Sequence, residues 1–123
     1  MSVISLFGKP KSPMLNDKDH IRLLHMLDYS REALSLIGGK GRKELDQDRT
    51  LNLALVRLME IVGEAANRVS DETQSAHTEI PWFQIISLRN RLIHGYDSVD
   101  FDILWGVITQ ELPALVAALE KIV

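Results

Sequence analysis

Residues 51–69, LNLALVRLMEIVGEAANRV, decide how the rest of the chain is read. Leu51, Ala54 or Leu55, Leu58, Val62, Ala65 and Val69 recur every three or four positions, the spacing that lines up side chains along one face of an α-helix. Leu53, Val56 and Ile61 widen that face beyond a single stripe. A helix this apolar must hide more than one side, so it is expected at the centre of a helical domain with neighbours around it.

C-terminal to this helix, residues 70–79 read as a polar loop. Pro81 then suits the first turn of a third helix, where its missing N–H costs little. Trp82, Ile85 or Ile86, Arg89, and Leu92 or Ile93 share one face, and Gly95 is expected to stop the helix. Asp97, Ser98 or Asp100 can cap a fourth helix carrying Ile103, Leu104, Val107, Ile108, Leu112, Leu115, Val116, Leu119 and Ile122. Pro113 lies inside that pattern and should kink or divide it.

N-terminal to the central stretch, Asn16 or Asp17 can cap a first helix with Leu23, Met26 or Leu27, Ser30, Ala33 or Leu34, and Ile37 on one face. Gly38 and Gly39 close it, and residues 40–43 form a basic turn. Residues 1–15, with Gly8, Pro10 and Pro13, read as a flexible lead-in, leaving 16–123 as one domain. Nothing reads as a strand pair or a repeat. The expectation is an all-α, antiparallel up-and-down four-helix bundle, its last helix kinked near Pro113. Leu51, Leu55, Leu58, Val62, Ala65, Ile86, Leu104 and Ile108 are expected in its core.

Composition narrows the function classes. The 123 residues are 46% apolar, enough for a packed core and too many for disorder. The net charge of −3 argues against a globally basic nucleic-acid binder, so any RNA contact must be local. The absence of cysteine excludes disulfide scaffolds and thiolate metal sites. No apolar run approaches the roughly 18 residues that span a bilayer, and Lys9 and Lys11 follow the first apolar residues, the reverse of a signal peptide. A soluble, cytoplasmic protein is expected.

The chemically loaded segment is Leu88-Arg89-Asn90-Arg91-Leu92-Ile93-His94-Gly95-Tyr96. Arg89 falls on the stripe of Ile86 and Ile93, where a guanidinium is costly without a partner. Asn90 and His94 are four apart and share another face. Gly95 frees the backbone so that Tyr96 can turn back toward His94, and polar groups would then converge at the helix end. Singly, each residue has a plainer reading. Arg89 suits a structural ion pair with Glu64 or Glu60, His94 suits a helix C-terminus, and Tyr96 suits a core edge. Their joint spacing favours function. His20 and His25 read as solvent-facing, and His77 as a loop residue, none with metal-ligand spacing. Lys40, Arg42 and Lys43 read as a solvated turn, and Glu44, Asp46 and Asp48 as helix-start charges. No metal and no cofactor is expected.

Arg89, four residues, His94, one residue, then Tyr96 resembles the R-x4-H-x-Y signature of the HepT branch of HEPN proteins. Asn90 fits the wider HEPN pattern. Gly63-Glu64-Ala65, residues 96–100, Ile103-Leu104-Trp105 and Leu112-Pro113 are also similar to that family, so the resemblance covers most of the chain. It implies a HEPN-type bundle and a metal-independent endoribonuclease toxin of a toxin–antitoxin pair. The implied partner is a minimal nucleotidyltransferase antitoxin that silences the toxin by transferring AMP to the motif tyrosine, here Tyr96. RNA supplies its own 2′-hydroxyl nucleophile. His94 would move protons, Arg89 would hold phosphate charge, and Asn90 and Glu64 would support them, Glu64 by orienting Arg89. A homodimer would place two His94 side chains in one cleft, dividing base from acid. The alternative is a non-catalytic HEPN subunit that binds and supports a nucleotidyltransferase.

Overall fold

A computed structural model of the chain describes residues 15–123, and every described element is helical. Helix α1 spans Asp17–Leu36, α3 Arg49–Asn67, and α5 Trp82–His94. The last long segment runs Phe101–Ile122 and comprises α6 (Phe101–Gly106), a π-helical turn (Val107–Glu111) and α7 (Leu112–Ile122). The expected lead-in, with Gly8, Pro10 and Pro13, lies outside the described residues apart from Leu15, which is buried.

Local chemistry sets the helix ends. Asn16 caps α1, its Oδ1 accepting the Asp19 N–H at 2.8 Å. Gly39, at φ +75°, takes the left-handed conformation beyond that helix. Asp48 caps α3 through the Leu51 N–H at 3.0 Å. Asp100 caps α6 by accepting from the N–H groups of Asp102 and Ile103.

Two segments read as turn and loop fold instead into short helices, α2 (Arg42–Gln47) and α4 (Asp71–Ala76). Each carries an N-terminal cap and one buried anchor. The Glu44 carboxylate accepts the Gly41 N–H, and Leu45 is fully buried. The Ser70 hydroxyl accepts the Thr73 N–H, and Thr73 is fully buried. Six residues are too few to display a helical period, so only the cap betrays them.

Helix α3 packs against α1 on one side and α5 on the other, and α7 packs against α1. Leu51, Leu55, Leu58, Val62, Ala65, Leu104 and Ile108 are buried as their spacing predicts, whereas Ile86 is half-buried. It is Ile80, Trp82 and Leu92 that α5 and its lead-in bury. The apolar stripe of the last segment, from Leu104 through Ile108, Leu112, Leu115 and Leu119 to Ile122, is also buried. Phe101–Ile122 is long and apolar enough by composition to cross a membrane, contrary to the reading of the sequence, yet this stripe is spent on the helical core.

A π-helical turn at Val107–Glu111 precedes Pro113. Proline has no N–H to donate and its ring crowds the carbonyl one turn back. The turn ahead of it widens, with the Leu112 N–H reaching the Val107 carbonyl, and Pro113 enters α7 in its first turn.

One buried carboxylate ties the base of α1 to α4. Asp19 accepts from the Ser70 N–H at 3.0 Å, the Ser70 hydroxyl at 2.6 Å and the Thr73 hydroxyl at 2.6 Å. Burial alone would push this carboxyl up. The hydrogen bonds from Ser70 and Thr73 outweigh it and hold the group below its ordinary value.

Candidate active site at the end of helix α5

The site begins where α3 and α5 touch. Gly63 faces Arg89 so closely that a Cβ on Gly63 would sit 2.1 Å from the Arg89 Cβ and 3.1 Å from the Ile85 carbonyl oxygen. A residue without a side chain is needed for this approach, not for its backbone freedom. The arginine stem lies across Gly63, and its guanidinium reaches the next residue of α3. One terminal nitrogen pairs with Glu64, and the other donates to the Asn90 amide oxygen at 2.7 Å. Glu60 pairs with Arg57 at 3.2 Å, so of the two acids open to Arg89 it is Glu64 that meets it.

Glu64 also accepts from Arg68 Nε at 3.0 Å. The Arg68 hydrogen bond, opposed by partial burial and helped by the charge of Arg89, holds the Glu64 carboxyl below the usual range. The guanidinium of Arg89 is thus oriented from two sides, and its Nε is buried without a hydrogen-bond partner among the described residues.

His94, the last residue of α5, is exposed. It lies five positions after Arg89, a rotation of about 140° around the helix axis. It borders a groove of about 370 Å³ shared with Arg91, Ser98 and Asp100. Among the described residues no hydrogen bond joins it to Arg89, Asn90 or Tyr96.

Tyr96 is 80% exposed and opens onto a different groove, of about 450 Å³, lined by Arg49, Leu53 and Arg57 of α3 and by Phe101. The expected return of Tyr96 toward His94, and the convergence within one chain, are therefore corrected. Gly95 has φ −118°, an ordinary value, and its lack of a side chain serves space: a Cβ would stand 3.0 Å from the Arg91 carbonyl oxygen. The structure brings Arg89, Asn90 and Glu64 together, and points His94 and Tyr96 outward on separate sides of the loop 95–100.

Arg49 and Arg57, which line the groove of Tyr96, are not singled out by the sequence because they lie far from the motif. Their register with Leu53 at four-residue spacing on one face of α3 was the available signal. His20 and His25 are half-buried rather than solvent-facing, and His25 lies against Tyr29 with ring centroids 6.3 Å apart. Among the described residues no cluster of three or more His, Asp or Glu side chains could hold a metal ion.

Comparison with known proteins bears on the same segment. The model of the "Ribonuclease HepT-like" family matches residues 26–122, a span that contains Gly63, Glu64, Arg89, His94 and Tyr96. A relative from Caldanaerobacter subterraneus subsp. tengcongensis, provisionally named an RNase, is 32% identical over 100 residues, covering 81% of this chain and 89% of the relative. A Thermococcus cleftensis protein named a probable ribonuclease HepT is 35% identical over 75 residues, covering 61% and 68%. A Methanocaldococcus jannaschii protein, again provisionally named an RNase, is 25% identical over 93 residues, covering 76% and 85%. No solved structure matches the chain. Spanning the core helices and the whole motif, these matches establish that the chain belongs to the HepT-like ribonuclease family.

Proposed function

We propose that this chain is a metal-independent endoribonuclease toxin that works as a homodimer and is silenced by a nucleotidyltransferase that transfers AMP to Tyr96. The observation that carries the reading is the pairing of a held cation with a free imidazole on one helix. Arg89 is fixed by Gly63, Glu64 and Asn90, while His94 stands exposed a turn further on.

The chemistry needs no added nucleophile. The RNA 2′-oxygen attacks the adjacent phosphorus as a base removes its proton. The bond from phosphorus to the 5′-oxygen breaks, an acid protonates that oxygen, and a 2′,3′-cyclic phosphate remains. Imidazole suits both proton transfers near neutral pH, and a guanidinium suits the charge on the phosphorane.

One chain cannot divide these roles, because Arg89 and His94 face different ways on α5 and the motif holds one imidazole. A two-fold axis at the end of α5 supplies a second His94 to a shared cleft. Ile93, 39% exposed, lies beside His94 on this surface and supports its being covered by a second copy. The exposed Tyr96 supports modification without local unfolding. An AMP phosphate there would place negative charge and bulk beside the path of RNA.

The closed Glu64–Arg89 pair favours a second reading, a non-catalytic subunit that supports the nucleotidyltransferase, because the cation is already engaged. Incubating the purified chain with RNA in EDTA separates the two. Cleavage that disappears in His94→Ala supports the enzyme, and intact RNA with the unmodified chain supports the scaffold. Intact-mass analysis after incubation with the partner nucleotidyltransferase, ATP and magnesium tests the switch. The added AMP mass should be absent from Tyr96→Phe, and its persistence there would refute the assignment.

A further inference from the structure

We propose that the groove between α3 and Tyr96 is a subsite for one unpaired nucleotide of the RNA strand, its base against Tyr96, Leu53 and Phe101 and its phosphate on Arg49. The inference rests on the ribonuclease reading and adds to it a second contact region on another element. The groove, at about 450 Å³, falls in the size range of small-ligand clefts.

Its lining is unusual for a solvated helix face. Leu53 is 52% exposed and Tyr96 80% exposed, while Val56 and Phe101 are half-buried behind them. An aromatic ring standing over an aliphatic wall offers a slot for a flat unsaturated ring, and stacking of this kind holds single-stranded bases without regard to sequence. A paired base cannot enter, because its faces are already stacked.

Charge is placed to complement a phosphate. Arg49 is exposed, its guanidinium touches the Asn52 amide oxygen at only 3.4 Å, and among the described residues no carboxylate lies within ion-pair distance of it. Arg57 also lines the groove and is 70% exposed. Two acids share the lining. Glu60 is held by Arg57, and Asp97 offers an acceptor for an exocyclic base amine. In a chain with a net charge of −3, this local arrangement can attract a strand where the global field cannot. Tyr96 is two residues from His94, so the groove adjoins the proposed cleavage centre across the loop 95–100.

The test uses the full chain and a fluorescent single-stranded RNA whose 2′-oxygens are methylated, so that binding is read without cleavage. Arg49→Ala should weaken binding about fivefold and reduce the dependence on salt by about one phosphate contact. Tyr96→Ala should weaken it about tenfold, and Tyr96→Phe should restore most of that loss, because stacking uses the ring and not the hydroxyl. Leu53→Ser should weaken it severalfold, with Lys121→Ala as the surface control. Thermal melts confirm that each variant folds.

Binding by Arg49→Ala, Leu53→Ser and Tyr96→Ala equal to that of Lys121→Ala would overturn the subsite. If Leu53→Ser instead changes the mass of the oligomer and leaves RNA binding intact, the groove seats a second copy and the proposal fails. Cleavage by the wild type with groove variants that bind normally would remove the subsite and leave the ribonuclease reading standing. Arg49-dependent binding without any cleavage would do the reverse. A wild-type chain that binds no RNA would overturn both.

Discussion

The two ends of the R-x4-H-x-Y motif are built differently. At Arg89, the chain is locked: Gly63 admits the arginine stem, and Glu64, Arg68 and Asn90 form a continuous polar chain around its guanidinium. At His94 and Tyr96, the side chains project from a helix end and the following loop, and no hydrogen bond among the described residues restrains them. Under the proposed function, a cation held within the chain and an unrestrained imidazole divide the site between what one chain supplies and what a second copy would complete. Variants of the first region should therefore change stability, chemistry or both, and variants of the second should change chemistry with little effect on stability.

The sharpest way to break this division is at the locked end. Gly63→Ala puts a methyl where the Arg89 stem lies, so α3 and α5 must separate. A loss of about 3 kcal/mol in urea unfolding is expected, with Arg89 displaced as well. Wild-type stability in this variant would mean that the helices are not held so closely.

A second fixed point, at Asp19, sets the scale for a buried carboxylate that accepts from neutral donors. Asp19→Ala should cost about 2 kcal/mol, because Ser70 and Thr73 lose a charged acceptor. Its carboxyl is held below its ordinary value in the folded state, so its contribution is full above the ordinary carboxylate value and disappears as pH falls through that value and below. Acid unfolding of the wild type should therefore be steeper than that of Asp19→Asn. Parallel acid curves would contradict the role given to this group.

Glu64 should behave more mildly. Its carboxyl is also lowered, so the sign is the same, but its side chain is 37% exposed and solvent screens the pair. Glu64→Gln should cost under about 1 kcal/mol by thermal melting while weakening RNA cleavage, since Arg89 loses its orientation. Arg89→Ala should likewise cost only about 1 kcal/mol, because Arg68 remains with Glu64, yet abolish cleavage. The smallest structural effect belongs to His94→Ala, within about 0.5 kcal/mol of wild type, as befits an exposed side chain.

The fold was legible in the sequence where the hydrophobic period was long. The stretch 51–69 announces its own centrality, and it packs between α1 and α5. The Glu64–Arg89 pair was legible too, as an arginine on an apolar stripe needs an acid on the facing helix. The short helices α2 and α4 were not, because a cap and one anchor do not make a period. The separation of His94 from Tyr96 was hidden for another reason. Closeness in sequence says little about direction once a helix turning about 100° per residue gives way to a loop. The Arg49 and Arg57 groove is formed only when α3 meets the loop 95–100, so its register on α3 could be read but not its neighbour.

The proposed division between a fixed cation and an imidazole shared across a dimer is tested most directly by mixing subunits. Wild-type chain and His94→Ala are combined in varied proportion at constant total concentration, allowed to exchange, and assayed for RNA cleavage in EDTA. A cleft that needs two His94 side chains predicts activity that falls as the square of the wild-type fraction. Activity in simple proportion to that fraction would show that each chain acts alone and would contradict the account.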